Sequence, residues 1–189
     1  MTVVALVLAA GRSARFGSDK RCATLADGRS LLLHSVERAR QAFDEVCVVL
    51  REGECAQMLG LPDECLIVHS PDAALGMGHS LAAGVASLAG SGAQAVAIVL
   101  GDMPWIAPTT LRQLAEVATA STILLPHHDG KQGHPVVFGR DFWPHLMALR
   151  GDEGARSVVR AHPDCCVMLE VADAGVLNDV DTPSSLLER

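Results

Sequence analysis

The 189-residue chain carries 15 Lys and Arg against 22 Asp and Glu, a formal net charge of −7, with 49% hydrophobic residues, 3% aromatics and no Tyr. A mean field of that sign repels nucleic acid and anionic membranes, and the scarcity of stacking platforms argues further against single-stranded nucleic-acid binding. The apolar content excludes disorder, no apolar run approaches the ~20 residues of a membrane span, and the length fits one domain over residues 1–189.

In chain order, the opening stretch 2–9, TVVALVLA, is a continuous apolar strand that lacks the basic segment of a secretion leader. It runs into Ala9-Ala10-Gly11 and then a loop carrying Arg12, Arg15, Lys20 and Arg21. Gly11 and Gly17 let backbone N–H groups converge into an anion-binding nest, and Arg15 and Lys20 add full charges suited to a polyphosphate. Arg12 and Arg21 are expected to tune the local field or meet solvent. The spacing matches neither G-x-G-x-x-G nor the Walker pattern, so dinucleotide and Walker-type readings fail.

An amphipathic helix is expected over 30–43, strands over 45–50 and 65–69, and a helix over 78–90. Gly76 and Gly78, just before that helix, have the look of a ligand-adjacent loop. A strand at 95–100 leads into Gly101-Asp102-Met103-Pro104, which fixes a lone carboxylate at the strand's carboxyl end, where it suits Mg²⁺. A helix over 108–119 opens on Pro108 and two threonines, and strands follow at 121–126 and 135–138.

The last third reads as short helices at 140–149 and 154–162, a strand at 165–171 and a final helix at 182–189 capped by Thr182. Asp179 and Asp181 precede it in an extended segment and are expected to face opposite sides, leaving Asp181 to join Asp102. His127, His128 and His134 lack metal-ligand spacing. The six cysteines form no C-x-x-C and read as reduced thiols, mostly core filler, of a cytoplasmic protein. Continuous apolar strands alternating with helices imply an α/β fold with a mainly parallel sheet and ligands beyond the strands' carboxyl ends.

Taken in order, LAAGRSARFGSDK, GDMP, GHPVVF and DVDTPSSL resemble the molybdenum-cofactor nucleotidyltransferases, most of all their cytidylyltransferase branch. Ala9-Ala10-Gly11 stands where the guanylyltransferase branch shows A-G-G, and GHP at 133–135 and GDEGARSVV at 151–159 are similar to the cytidylyltransferases as well. The resemblance runs from the first strand to the last helix. It implies a three-layer α/β/α sandwich with a Rossmann-like sheet of the nucleotide-diphospho-sugar transferase type, and transfer of CMP from CTP to molybdopterin with release of pyrophosphate.

It further implies that Leu8, Ala9, Ala10, Gly11, Arg12 and Ser13 hold the nucleotide, with Arg15 and Lys20 on the triphosphate and Gly78 and Ser80 bordering base or ribose. Asp102 and Asp181 would ligate Mg²⁺, with Arg15, Lys20 and Asp102 as the catalytic set. His134, Asp152 and Arg156 would face the phosphorylated pterin. A molybdenum hydroxylase or its maturation factor is the implied protein partner. The alternatives are a GTP-dependent enzyme, a sugar-phosphate nucleotidyltransferase, and a non-catalytic cofactor-insertion chaperone.

Overall fold

The computed structural model describes residues 1–12 and 16–186. Its first half alternates strand and helix: β1 (Val3–Leu8), α1 (Leu31–Arg40), β2 (Glu45–Arg51), β3 (Leu66–Ser70), α2 (Met77–Leu88), β4 (Ala95–Leu100) and α3 (Pro108–Val117). Then come β5 (Ile123–His128), β6 (Lys131–Gln132), β7 (Val136–Gly139), α4 (Trp143–Met147), α5 (Arg156–Ala161) and β8 (Cys166–Glu170). Ser30 caps α1 by accepting a hydrogen bond from the Leu33 amide at 3.2 Å, and Pro108 opens α3, where a missing N–H costs nothing.

Among the described residues one sheet runs in the order β3-β2-β1-β4-β7-β5-β6, with β8 beside β5. The pairs β3–β2, β2–β1, β1–β4 and β5–β8 are parallel, whereas β7 lies antiparallel between β4 and β5. Alternate residues of β1 feed two cores, as period-two geometry requires. Val3, Ala5 and Val7 pack with Leu32 and Val36 of α1 and Leu111 and Leu114 of α3. Val4 and Leu6 pack with Leu81 and Val85 of α2, Trp143 and Leu146 of α4 and Val158 of α5. Helices thus cover both faces of the sheet, giving the expected three-layer α/β/α sandwich, and none is long and apolar enough to cross a membrane.

Three expectations need correction. The segment 182–189 is no α-helix where it is described: Pro183–Leu186 forms a 3-10 turn, Thr182 Oγ1 pairs with Ser185 Oγ at 2.9 Å, and 187–189 lie outside the described residues. The cysteines are core filler only in part: Cys47 and Cys65 are buried, Cys165 and Cys166 are half-buried against the core, and Cys22 and Cys55 are exposed; all six are free thiols. The short β6 was absent from the sequence reading, although Asp129-Gly130 marks it. Both residues have positive φ, 49° and 72°, the backbone that a tight hairpin between β5 and β6 requires.

Candidate active site

The carboxyl ends of β1 and β4 lie side by side, because the two strands pair in parallel and the Gly101 amide donates to the Leu8 carbonyl at 3.1 Å. A cavity of about 420 Å³ opens above them, lined by Leu8, Ala9, Ala10, Gly11, Arg12 and Lys20. Asp102, Asp181, Ser80 and Asp152 complete the part of the wall that matters here. A second cavity of about 710 Å³ adjoins it, sharing Leu8, Met77, Leu100 and Asp152 and adding His134 and Arg156. Of the residues singled out from the sequence, Leu8, Ala9, Ala10, Gly11, Arg12, Lys20, Ser80, Asp102 and Asp181 line the first cavity, His134 and Arg156 the second, and Asp152 both.

The cation Lys20 spans this edge. Its ammonium donates to Asp102 Oδ2 at 2.5 Å and to the Val180 carbonyl at 3.2 Å, and lies 3.8 Å from Asp181 Oδ1. Carboxylate oxygens of Asp102, Asp179 and Asp181 all fall within 4.8 Å of one another. This overturns the expectation that Asp179 points away from Asp181. In an extended chain residues two apart share a face; Val180 between them turns inward, fully buried against Phe16 and Leu31, and both carboxylates are left at the site. The Val180 amide also donates to the Asp102 carbonyl at 2.9 Å, which pins the segment over β4. Asp173 anchors it from the other end, accepting from the Ala107 amide and from Thr110 Oγ1 at 2.9 and 2.8 Å.

Three carboxylates beside an ammonium are an all-oxygen donor set of the kind hard divalent cations select, so the residues present fit such an ion. No comparable grouping joins His127, His128 and His134 among the described residues. His127 Nδ1 lies 3.0 Å from the Leu125 carbonyl and His128 Nδ1 2.9 Å from that of Val171.

The second correction concerns Arg21, expected to adjust the field or meet solvent. It is 6% exposed and fully engaged. Its guanidinium donates to both oxygens of Asp19 at 2.8 and 2.5 Å, both oxygens of Glu54 at 2.7 and 2.5 Å, and the Ala9 carbonyl at 2.8 Å. Burial works against its charge, yet the bonds from Glu54 and Asp19 outweigh that and hold its pKa above the ordinary arginine value. Arg51 joins them, donating to Glu54 Oε1 at 3.2 Å, to the Ala10 carbonyl at 3.3 Å and to the Gly11 carbonyl. Neither Arg51 nor Glu54 was visible as a site-associated residue in the sequence, since they come from the end of β2 with no motif around them.

Gly78 is not on the wall of the nucleotide-side cavity. Its amide donates to the Gly151 carbonyl at 2.8 Å, and a Cβ there would come within 2.9 Å of that oxygen. Gly76, at φ +127°, would place a Cβ 2.4 Å from the Gly151 carbonyl carbon. These glycines seat the 150–152 turn against α2, which brings Asp152 to the junction of the two cavities. In the second cavity His134 has a buried Nδ1 with no hydrogen-bond partner among the described residues. Burial pushes its pKa down, with Arg156 acting the same way and Asp102 and Asp179 opposing. Ser13 and Arg15 lie outside the described residues.

A family model described as MobA-like NTP transferase domain matches residues 5–166. The chain belongs to this family. Purine catabolism protein PucB of Bacillus subtilis (strain 168) is 31% identical over 196 residues, covering 96% of this chain and 92% of PucB. Rv0371c of Mycobacterium tuberculosis H37Rv, 30% identical, superposes with a TM-score of 0.86 over 100% of this chain and 98% of that one. Its complex with manganese gives a TM-score of 0.82 at 30% identity, covering 98% and 96%. Molybdopterin-guanine dinucleotide biosynthesis protein A from Archaeoglobus fulgidus shares the fold, with a TM-score of 0.67 at 18% identity over 97% and 95% of the two chains. Membership makes nucleotidyl transfer the activity class of this chain.

Proposed function

We propose that the protein transfers CMP from CTP to the terminal phosphate of molybdopterin, releasing pyrophosphate. The observation that carries the reading is the convergence of the Ala9–Arg12 loop, Lys20, Asp102 and Asp181 on the wall of the first cavity, with Asp179 in the same carboxylate group and a second cavity adjoining across Leu8, Met77, Leu100 and Asp152. One cavity suits a nucleoside triphosphate and the other a phosphorylated acceptor. The choice of CTP and of the pterin is supported by the resemblance of LAAGRSARFG, GHP and GDEGARSVV to the cytidylyltransferase branch.

In this reaction an oxygen of the acceptor phosphate forms a bond to the α-phosphorus of CTP, and the bond from that phosphorus to the β-bridging oxygen breaks. The acceptor monoester is largely ionised at neutral pH, so no side-chain nucleophile is required. What the protein must supply is neutralisation and alignment of two anions. Lys20, held in the first cavity by Asp102 and the Val180 carbonyl, would hold the departing pyrophosphate. The amides of Ala10, Gly11 and Arg12 and the Arg12 side chain receive the phosphates, with Arg15 assigned to the same work. Asp102, Asp179 and Asp181 would hold Mg²⁺, which when bound neutralises phosphate oxygens and stabilises charge on the leaving group. His134, Asp152 and Arg156 line the acceptor side, and the uncharged state favoured at buried His134 leaves Arg156 and Arg160 as the cations of that wall.

The test is pyrophosphate release from each of the four nucleoside triphosphates with Mg²⁺, using molybdopterin or a panel of sugar phosphates as acceptor. Release that requires both CTP and molybdopterin supports the reading. Turnover only with GTP, or only with a sugar phosphate, overturns the assignment while keeping the activity class. Nucleotide binding without turnover would make the chain a cofactor-insertion partner instead.

A further inference from the structure

The four groups Asp19, Arg21, Arg51 and Glu54 sum to zero charge, so as a set they add little attraction for a triphosphate. Their arrangement instead acts on the backbone. Ala9 continues the ladder, its amide donating to the Val49 carbonyl at 3.0 Å, but the carbonyls that follow are taken by guanidinium groups. Arg21 holds that of Ala9, and Arg51 holds those of Ala10 and Gly11. Glu54 ties the two arginines together: besides both oxygens bound to Arg21, it accepts from the Arg51 side chain and, at 2.9 Å, from the Arg51 amide. In a planar trans peptide the N–H points opposite to the C=O. Fixing three consecutive carbonyls therefore fixes the direction of the amides of Ala10, Gly11 and Arg12, all of which line the nucleotide-side cavity.

We infer that Arg21 and Arg51, braced by Glu54 and Asp19, are positioning residues that preset the amide donors of the opening loop before the triphosphate arrives. This rests on the reading of that cavity as the triphosphate site. A preset donor array binds an anion without a reorganisation cost at the moment of binding, so loss of the clamp should appear mainly as weaker ground-state nucleotide binding. It also separates two cations adjacent in sequence: Lys20 faces the ligand, whereas Arg21 is directed inward to the loop that receives it.

Arg51 is the residue to test, because its side chain is 29% exposed and its removal leaves the Arg21 pairs intact. Binding of CTP without acceptor is measured by calorimetry, and KM and kcat by pyrophosphate release, for wild type, Arg51→Met and Arg51→Lys. The expected result is a rise of about tenfold in Kd and KM for the nucleotide in both variants, with kcat at saturation falling by less than about threefold and KM for the acceptor unmoved. Lysine keeps the charge but cannot fork to two carbonyls, so it does not rescue. Unchanged nucleotide affinity in Arg51→Met overturns the inference, as does recovery of wild-type affinity in Arg51→Lys, which would make the residue a simple counter-charge. A wild-type protein that binds no nucleoside triphosphate overturns the site reading itself and the inference with it.

Discussion

The two ends of the cleft are held together by different forces. At the end beside β1 a loop of small residues is fixed by side-chain charges that cancel in pairs, Arg21 and Arg51 against Asp19 and Glu54. At the other end the 150–152 turn is seated by steric fit on Gly76 and Gly78, and the buried His134 Nδ1 has no hydrogen-bond partner among the described residues. One end spends its polar groups on order, and the other keeps one uncommitted. A balanced network tolerates change only in pairs, whereas an unpartnered group can be altered alone with small structural effect.

The carboxylate group beside Lys20 should be the most sensitive point. Asp102→Ala is expected to lower nucleotidyl transfer by about 10³-fold or more while the melting temperature stays within a few degrees of wild type, read by pyrophosphate release and calorimetry. Full activity in that variant would separate the carboxylate group from the chemistry. Next in size, Glu54→Leu breaks the balanced end by leaving Arg21 with one carboxylate. Glu54 is 22% exposed, which moderates the penalty, and a loss of about 2 kcal/mol is expected, seen as a drop of roughly 4–8 °C in melting temperature.

Lys20→Met sharpens the contrast in an unusual direction. The Lys20 ammonium sits 2.5 Å from Asp102 and 3.8 Å from Asp181, where it competes with any divalent cation for the same oxygens. The variant should lose transfer activity yet bind Mn²⁺ about tenfold more tightly than wild type in the absence of nucleotide, measured by electron paramagnetic resonance. Equal Mn²⁺ affinity in the two proteins would show that the ammonium does not occupy the cation position.

The smallest effect belongs to the acceptor end. The folded-state pKa of His134 lies below its ordinary value of 6.5, mainly through burial. Above about pH 6.5 both folded and unfolded chains hold it neutral, and the associated stability is fully present. As the pH falls through the lowered value the unfolded chain takes up the proton first, and that stability is lost. Thermal unfolding from about pH 7.5 to about pH 5 should therefore fall more steeply for wild type than for His134→Leu; parallel slopes would show that the imidazole is not buried as described.

The sheet was legible because its strands are continuous Val, Ile and Leu runs, which only a doubly covered sheet demands. The residues at the ends of β1 and β4 that line the first cavity were legible for a related reason: Ala9-Ala10-Gly11 and Gly101-Asp102 are local in sequence, so a short window contains each of them. What escaped was made by residues distant in the chain. Arg51 and Glu54 reach the opening loop only because β2 pairs with β1, and Gly78 looks like a ligand-facing glycine until the 150–152 turn is seen to fill its space. Asp179 joins the carboxylate group because residues two apart in an extended segment share a face, as it does with Asp181.

The anchoring of residues 173–181 has a consequence for synthesis. Asp102 follows β4, but the other two carboxylates of its group come some eighty residues later, on a segment that docks through Asp173, Val176 and Val180. A nascent chain that has completed β1 to β4 already carries the opening loop, yet it lacks most of the carboxylate cluster until that later segment closes over β4. The cluster is thus completed only when nearly the whole described chain has folded.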